Sequence, residues 1–330
     1  MTRLAHRRRA CLHAGLLLLA ALALGPPAQA QPSAYPSRPL RLVVGFPPGG
    51  GIDVVARLFA DKLSQSLGQS VVVENRPGAS GSIAGRQVAG AEPDGHTILI
   101  NSNSMVVSQV MNPNAGFAIE RDLKPIMSAA PQSIILTVAP DLPAGSLREL
   151  IDLARTRKLL YGTPGVGSVP HLMIEYLFGS LAHAAMEHVP YQGAAQALTG
   201  AMTGQVQVAS ITTPPAVALV QAGKVKPIAV TGAARAGALP EVPTVAESGY
   251  PGFVINVWTG FFMPAGTPQA VADRFYGAAR EVAEMPEVKA KLASLGFETA
   301  TTPSEQFARE LAEEIRRWAD VVREAKLKTQ

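Results

Sequence analysis

The chain carries a single cysteine, Cys11, among 330 residues. Beyond the N-terminal segment that holds it there is none, which excludes disulfides, thiol nucleophiles and thiolate metal sites from the bulk of the protein. Charge is sparse, at 16% of residues, and unevenly placed. Arg3, Arg7, Arg8 and Arg9 lie in a first thirty residues without an acid, and the 300 residues after them hold 25 basic and 25 acidic side chains. The net charge of +4 therefore belongs to that segment. A broad nucleic-acid surface, which needs a basic patch or stripe, is excluded. No later stretch reaches the roughly 20 apolar residues of a membrane span, and no repeat or low-complexity segment interrupts the chain. What is present, 47% hydrophobic residues, suits a globular protein with a real core, and the length suggests about two domains.

The N-terminal segment has the three parts of an export signal. Four arginines are followed by an apolar run from Ala14 to Gly25 and by Ala28-Gln29-Ala30, an A-x-A cleavage site. Residues 1–30 are therefore expected to be a signal peptide cleaved after Ala30. The expected product is a soluble, exported protein without cysteine.

The remainder alternates short apolar runs with helical periodicity. Leu40–Phe46 reads as a buried strand, after which Ile52, Val55, Phe59, Leu63 and Leu67 recur at helical spacing until Gly68. Strands are predicted at Val71–Val73 and His96–Asn101. In the second half they are predicted at Leu159–Gly162, Glu187–Pro190, Val206–Ile211 and Val225–Val230, with helices between. Ser146-x-x-Glu149 is a capping box. Thr267-Pro268 and Thr302-Pro303-Ser304-Glu305 open two late helices. In the last, Phe307, Leu311, Ile315, Trp318 and Val322 face inward, and Glu313, Glu314, Arg316 and Arg317 are expected in solvent. Strands alternating with helices mean βαβ units, hence an α/β fold with parallel sheets in two lobes. Ligands of such sheets sit beyond the carboxyl ends of the strands.

The loops at those ends are rich in glycine and small polar residues: Gly45–Asp53, Glu74–Ser82, Asn101–Ser104 with Ser102 and Ser104, Tyr161–Ser168, and Val189–Gly193. Glycine admits a ligand close to the backbone. Each helix start adds free N–H groups and partial positive charge, favouring an anion by roughly 0.3–1 kcal/mol. Several converging starts hold a carboxylate without any arginine. Phe46 and Tyr191 stand at loop mouths as pocket walls or core aromatics. Asp53 is either a cap or a ligand contact, Arg76 pairs with a nearby carboxylate, and His171 faces the cleft or supports the fold. His183 and His188 read as a surface turn.

Enzyme signatures fail. Gly49-Gly50-Gly51 is followed by Ile52-Asp53, so there is no P-loop lysine. Gly165-Val-Gly167 meets Pro170 where a dinucleotide fingerprint needs its third glycine. Gly78-Ala-Ser-Gly-Ser82 lacks the final glycine of a nucleophile elbow. The histidines after the signal are not spaced as a metal pair. No catalytic residue, metal or cofactor is expected.

Tyr35-Pro-Ser-Arg-Pro39, Val43-Val-Gly-Phe-Pro-Pro-Gly-Gly-Gly-Ile-Asp53, Val73-Glu-Asn-Arg-Pro-Gly-Ala79, Pro93-Asp-Gly95, Tyr161-Gly-Thr-Pro-Gly-Val-Gly-Ser168, Val189-Pro-Tyr-Gln-Gly193, Leu239–Gly249 and Phe262–Pro268 together resemble the Bug receptors. These are the extracytoplasmic solute receptors of tripartite tricarboxylate transporters. The resemblance implies a two-lobed Venus-flytrap of the type II periplasmic binding protein class, with open sheets and a hinge. Lobe 1 would hold residues 31–133 and 254–330, and lobe 2 residues 134–253, with the ligand cleft between them. It implies pincers on one ligand end from Pro48, Gly49 and Asp53 and from Gly78, Ala79 and Ser80. The other end would be gripped by Thr163, Gly165, Val166, Gly167 and Ser168 and by Tyr191, Gly193 and Ala194.

One departure carries information. Where many relatives place an Asp-Asn or similar polar pair after a strand, this chain has Ile211-Thr212-Thr213, so a ligand ammonium lacks its expected carboxylate partner. The expected ligand is a mono- or dicarboxylate without an amine, with an apolar or aromatic body allowed. The expected partners are that carboxylate and the membrane permease subunits of a tripartite transporter, or a sensor kinase, with the receptor a monomer. An exported hydrolase using Ser80, Ser168 or His171 is the alternative.

Overall fold

The computed structural model describes residues 35–112, 116–184 and 186–324. The chain separates into a unit of residues 1–37 and a unit of residues 38–330. The segment read as an export signal lies outside the described residues, and the fold belongs to the second unit.

Its first half runs β1 (Leu40–Val44), α1 (Gly51–Leu67), β2 (Val71–Asn75), α2 (Ser82–Ala89), β3 (Thr97–Ser102), α3 (Ser104–Met111), the short α4 (Ile119–Asp122) and β4 (Leu123–Val138). The second half runs α5 (Leu147–Thr156), β5 (Leu160–Thr163), α6 (Val169–Ile174), a π-helical turn (Glu175–Leu181), β6 (Glu187–Pro190), α7 (Ala194–Met202), β7 (Val208–Thr212), α8 (Thr213–Gln221) and β8 (Lys226–Val230). The chain then returns through β9 (Asn256–Pro264), α9 (Gln269–Glu284), α10 (Pro286–Ser294), β10 (Thr301–Pro303) and α11 (Ser304–Glu324).

Two parallel groups, β2-β1-β3 and β7-β5-β6, lie at the two ends of one strand order and are joined through β9 and β4. Both of these joining strands run antiparallel to their neighbours. β4 changes partners along its length. Its residues up to Ser133 pair with β9, whereas Ile134–Val138 pair with β7 and Ile135–Val138 with β8. The register slips between Ala129 and Gln132, where Ala130 takes a left-handed φ of 49°. An unpaired residue at a bulge bends its strand.

The helices form where the apolar spacing says. α1 buries Ile52, Val55, Phe59, Leu63 and Leu67 on one face and stops at Gly68, whose φ of 67° is left-handed. Each such side chain contributes about 1.5–3 kcal/mol of transfer free energy. In α5 the Ser146 side chain caps the Glu149 N–H at 3.2 Å, and the Glu149 carboxylate accepts the Gly145 N–H at 2.7 Å. Three expectations are corrected. The helix predicted between the strands Leu159–Gly162 and Glu187–Pro190 changes to π winding after Ile174. His188 lies half-buried in β6 rather than on a surface turn, while His183 is exposed just before it. Glu314 is buried, because Asn103, Trp258 and Trp318 all donate N–H groups to its carboxylate.

Candidate functional site

Two adjoining cavities open at the ends of the strands, sharing Phe46 and Pro164 as walls. The larger, about 440 Å³, lies between the turn that follows β2 and the glycine loop that follows β5. Gly78, Ala79 and Ser80 line one side and Gly165, Val166 and Gly167 the other, with Tyr191 beside them. From Gly78 to Gly81 four successive residues have positive φ, two of them, Ala79 (46°) and Ser80 (51°), not glycine. Successive left-handed residues cost energy and turn backbone N–H groups to one side, a concavity suited to an anion. The Ser80 hydroxyl donates to the Val166 carbonyl at 2.7 Å, tying the two loops together. Tyr191 fits because two neighbours lack side chains: its ring edge packs on Gly162 and its hydroxyl on Gly200, where a Cβ would come within 2.8 and 2.3 Å.

The smaller cavity, about 130 Å³, is lined by Pro48, Ser102, Ser104, Ser168, Gly193, Ala194 and Thr212. Its wall is built of helix starts: Gly50 and Gly51 at α1, Ser104 at α3, Ser168 at α6, Gly193 at α7 and Thr212 at α8. The Ser168 hydroxyl accepts the His171 N–H at 3.3 Å and donates to the Gly165 carbonyl at 2.8 Å. The Ser104 hydroxyl accepts the Val169 N–H at 3.2 Å, tying the β3–α3 junction to the start of α6. Among the described residues lining either cavity there is no Asp, Glu, Lys, Arg or His. An anion here is held by helix starts, hydroxyls and backbone N–H groups.

Five expected contacts stand behind these walls. Asp53 is buried and fully engaged: it accepts the Gly49 N–H at 3.0 Å, both Arg57 donors at 2.9 and 3.0 Å, and the Asn75 amide at 2.9 Å. Burial raises its pKa, but the Arg57, Gly49 and Asn75 hydrogen bonds outweigh that and hold the carboxyl below its ordinary range. Asp53 and Gly49 thus fix the shape of the first loop. Arg76 pairs with Glu74. Thr163 and His171 are buried beneath the second glycine loop, and Ile211 lies in the core beside Ala194 and Val230. Neither Ser80 nor Ser168 directs its hydroxyl at a histidine; both donate to carbonyls.

Other lining residues were not anticipated. Met111 and Asn112 come from the far end of α3, and Val257 from β9. Attention to loops after parallel strands passes over both positions. Asn101 is the hidden support. Fully buried, it donates to the Gly81 carbonyl at 2.9 Å and accepts the Ser102 N–H at 3.0 Å. A Cβ at Gly45 would stand 2.7 Å from its Oδ1, and one at Gly81 2.3 Å. Gly45→Ala is therefore expected to cost about 1–3 kcal/mol through overpacking. Adding Asn101→Ser should recover part of it, with non-additivity above about 0.5 kcal/mol in urea unfolding. Additive effects would mean that the two loops do not lean on Asn101.

The same architecture occurs in solved proteins. A structure of the periplasmic binding protein BugD is 30% identical, with a TM-score of 0.85 over 90% of this chain and all of that one. A Rhodopseudomonas palustris protein solved with adipate is 33% identical, with a TM-score of 0.83 over 88% of this chain and 98% of its own. MatC from Rhodopseudomonas palustris, solved with bound malate, is 31% identical, with a TM-score of 0.81 over 87% of this chain and all of that one. The two-lobed binding-protein fold expected from the sequence is thus the fold of this chain. Residues 55–327 match the model of the tripartite tricarboxylate transporter family receptors. With cavities walled by glycine loops and helix starts, and with that match over most of its length, the chain belongs to the tripartite tricarboxylate transporter receptor family.

Proposed function

We propose that this periplasmic solute-binding protein captures a small carboxylate without an amine and hands it to the membrane subunits of a tripartite transporter. One observation carries the reading: five helix starts converge on a cavity whose described walls hold no charged side chain. Each start favours an anion by about 0.3–1 kcal/mol, and more when partly buried. A ligand ammonium meets no lining carboxylate, since Thr212 stands where an acid would be needed. The larger cavity adds room for a second carboxylate against the Gly78–Gly81 turn, or for an apolar body against Phe46, Met111 and Tyr191. Relatives that hold adipate and malate support the carboxylate class.

The lobes we propose meet between residues 133 and 134 and again between 253 and 254. The change of partners along β4 at Ser133 and Ile134 supports the first boundary. Closure would bring the two loop sets onto the ligand by hinge motion. Export rests on the signal sequence, with cleavage after Ala30; no helix among the described residues is long and apolar enough to cross a membrane. Binding without catalysis agrees with the hydroxyl orientations of Ser80 and Ser168.

A thermal-shift panel of aliphatic dicarboxylates, aromatic monocarboxylates and amino acids tests this. A true ligand at 100 times its Kd adds about 2.7 kcal/mol of stability. The expected shift is confined to acids without an amine. Tighter binding of glutamate than of glutarate would overturn the exclusion of the amine.

A further inference from the structure

We propose that His171 and His188 are positioning residues that hold the Thr163–Ser168 loop in its ligand-binding shape. The role as a ligand loop rests on the function proposed above; the mechanical role does not.

Each imidazole supports one glycine of the loop. The His171 Nδ1 accepts the Gly167 N–H at 3.3 Å. The His188 Nε2 lies 2.7 Å from the Thr163 hydroxyl, which donates to the Gly165 carbonyl at 3.2 Å and accepts the Gly165 N–H at 3.3 Å. A hydroxyl has one proton and two lone pairs. With its proton on the carbonyl and one lone pair on the Gly165 N–H, the Thr163 hydroxyl has a lone pair placed for a His188 Nε2–H. His171 must have a bare Nδ1. Gly165 and Gly167 both line the larger cavity and both have positive φ, 134° and 72°, so their backbone needs a scaffold that no side chain of their own supplies.

The two rings are clamped together. They stack at 4.1 Å and 24°, and Tyr161 stacks on His188 at 4.9 Å. The Tyr161 hydroxyl donates to Glu175. The ionisable groups packed around the pair are thus Tyr161 from β5 and Glu175 from the π-helical turn, with each histidine facing the other. Glu187, next to His188 in sequence, pairs with Lys158. A proton on the His171 Nδ1 would set two N–H donors against each other and place positive charge 4.1 Å from the other imidazole. Burial, then the neighbouring His188, pushes the His171 pKa down to about 3, and burial pushes that of His188 down to about 4. Both rings are neutral at the pH of the periplasm and the scaffold is intact.

Amide exchange of selectively ¹⁵N-glycine-labelled protein, without ligand, separates positioning from packing. His171→Phe keeps the stack but removes the acceptor; His171→Asn restores an acceptor near the place of Nδ1. Gly167 exchange is expected to speed up about tenfold in the Phe variant, the weight of one ordinary hydrogen bond, and to stay near wild type in the Asn variant. Exchange elsewhere in the sheets reports whether each variant is folded. Unchanged Gly167 protection in a folded His171→Phe protein overturns the proposal. Titration of the same proteins with adipate addresses the ligand reading separately. Faster exchange without adipate binding by wild type would leave the scaffold standing and count against the ligand class.

Discussion

Glu314→Ala is expected to cost about 2–4 kcal/mol of folding stability, because a buried donor left without its acceptor costs about 1–3 kcal/mol. Glu314 is 7% exposed and accepts from three donors: the Asn103 amide at 2.8 Å, the Trp258 indole at 2.6 Å and the Trp318 indole at 3.1 Å. Removing the carboxylate leaves both indole N–H groups without that acceptor. Asn103 keeps only its 3.0 Å bond to the Asn256 carbonyl. The effect should reach the smaller cavity, because Asn103 stands between Ser102 and Ser104, which line it. Urea unfolding followed by tryptophan fluorescence measures the loss directly at two of the three partners. Glu314→Gln retains an acceptor and should lose less, while the neighbouring exposed Glu313→Ala should stay within about 0.5 kcal/mol. A loss for Glu314→Ala no larger than for Glu313→Ala would show that the network carries no net stability.

This residue also shows where sequence reading stopped short. α11 was expected to turn Glu314 to water with its charged neighbours. Yet Phe307, Leu311 and Trp318 are buried at steps of four and seven, and Glu314 falls seven after Phe307 and four before Trp318. The stripe passes through it, so the signal was present in the spacing and was masked by the residue's charge. The parallel strands were legible from the alternation of short runs with helices and from the glycine loops that follow β1, β2, β5 and β6; β6 appears at Glu187–Pro190 as read. β4 and β9 were missed because both pair antiparallel and so lie outside the parallel βαβ units that the alternation implies. β4 also carries Pro125 and Pro131 and serves two sets of partners along sixteen residues. At the site, fifteen of the expected contacts line a cavity because glycine, hydroxyls and helix starts leave a local pattern. The division between wall and support depends on which way each side chain turns. Asp53 and His171 sit in the first turns of their helices like the cavity-lining residues, yet each is turned to a partner four residues away, Asp53 to Arg57 and His171 to Gly167.

Acid is expected to weaken the folded protein in two separable steps, and the first belongs to the histidine pair. Both folded pKa values, about 3 for His171 and about 4 for His188, lie below the ordinary 6.5. In that window the unfolded chain binds protons that the folded chain refuses. The stability is therefore fully present above pH 6.5 and declines as pH falls toward 4. At 1.36 kcal/mol per unit, His171 alone accounts for about 3 kcal/mol by pH 4. Asp53 has the opposite kind of group but the same final sign. Its folded pKa is lowered, so the stability it supplies persists above its unfolded pKa of 3.8 and disappears only as pH falls further. Urea midpoints measured from pH 8 to pH 3 should thus fall first between 6.5 and 4. In a protein carrying both His171→Phe and His188→Phe that first slope should flatten, while the drop below pH 4 remains. Identical slopes in the two proteins would mean that the folded imidazoles take up protons as readily as unfolded ones, and that burial does not hold the pair beneath Gly165 and Gly167 neutral below pH 6.5.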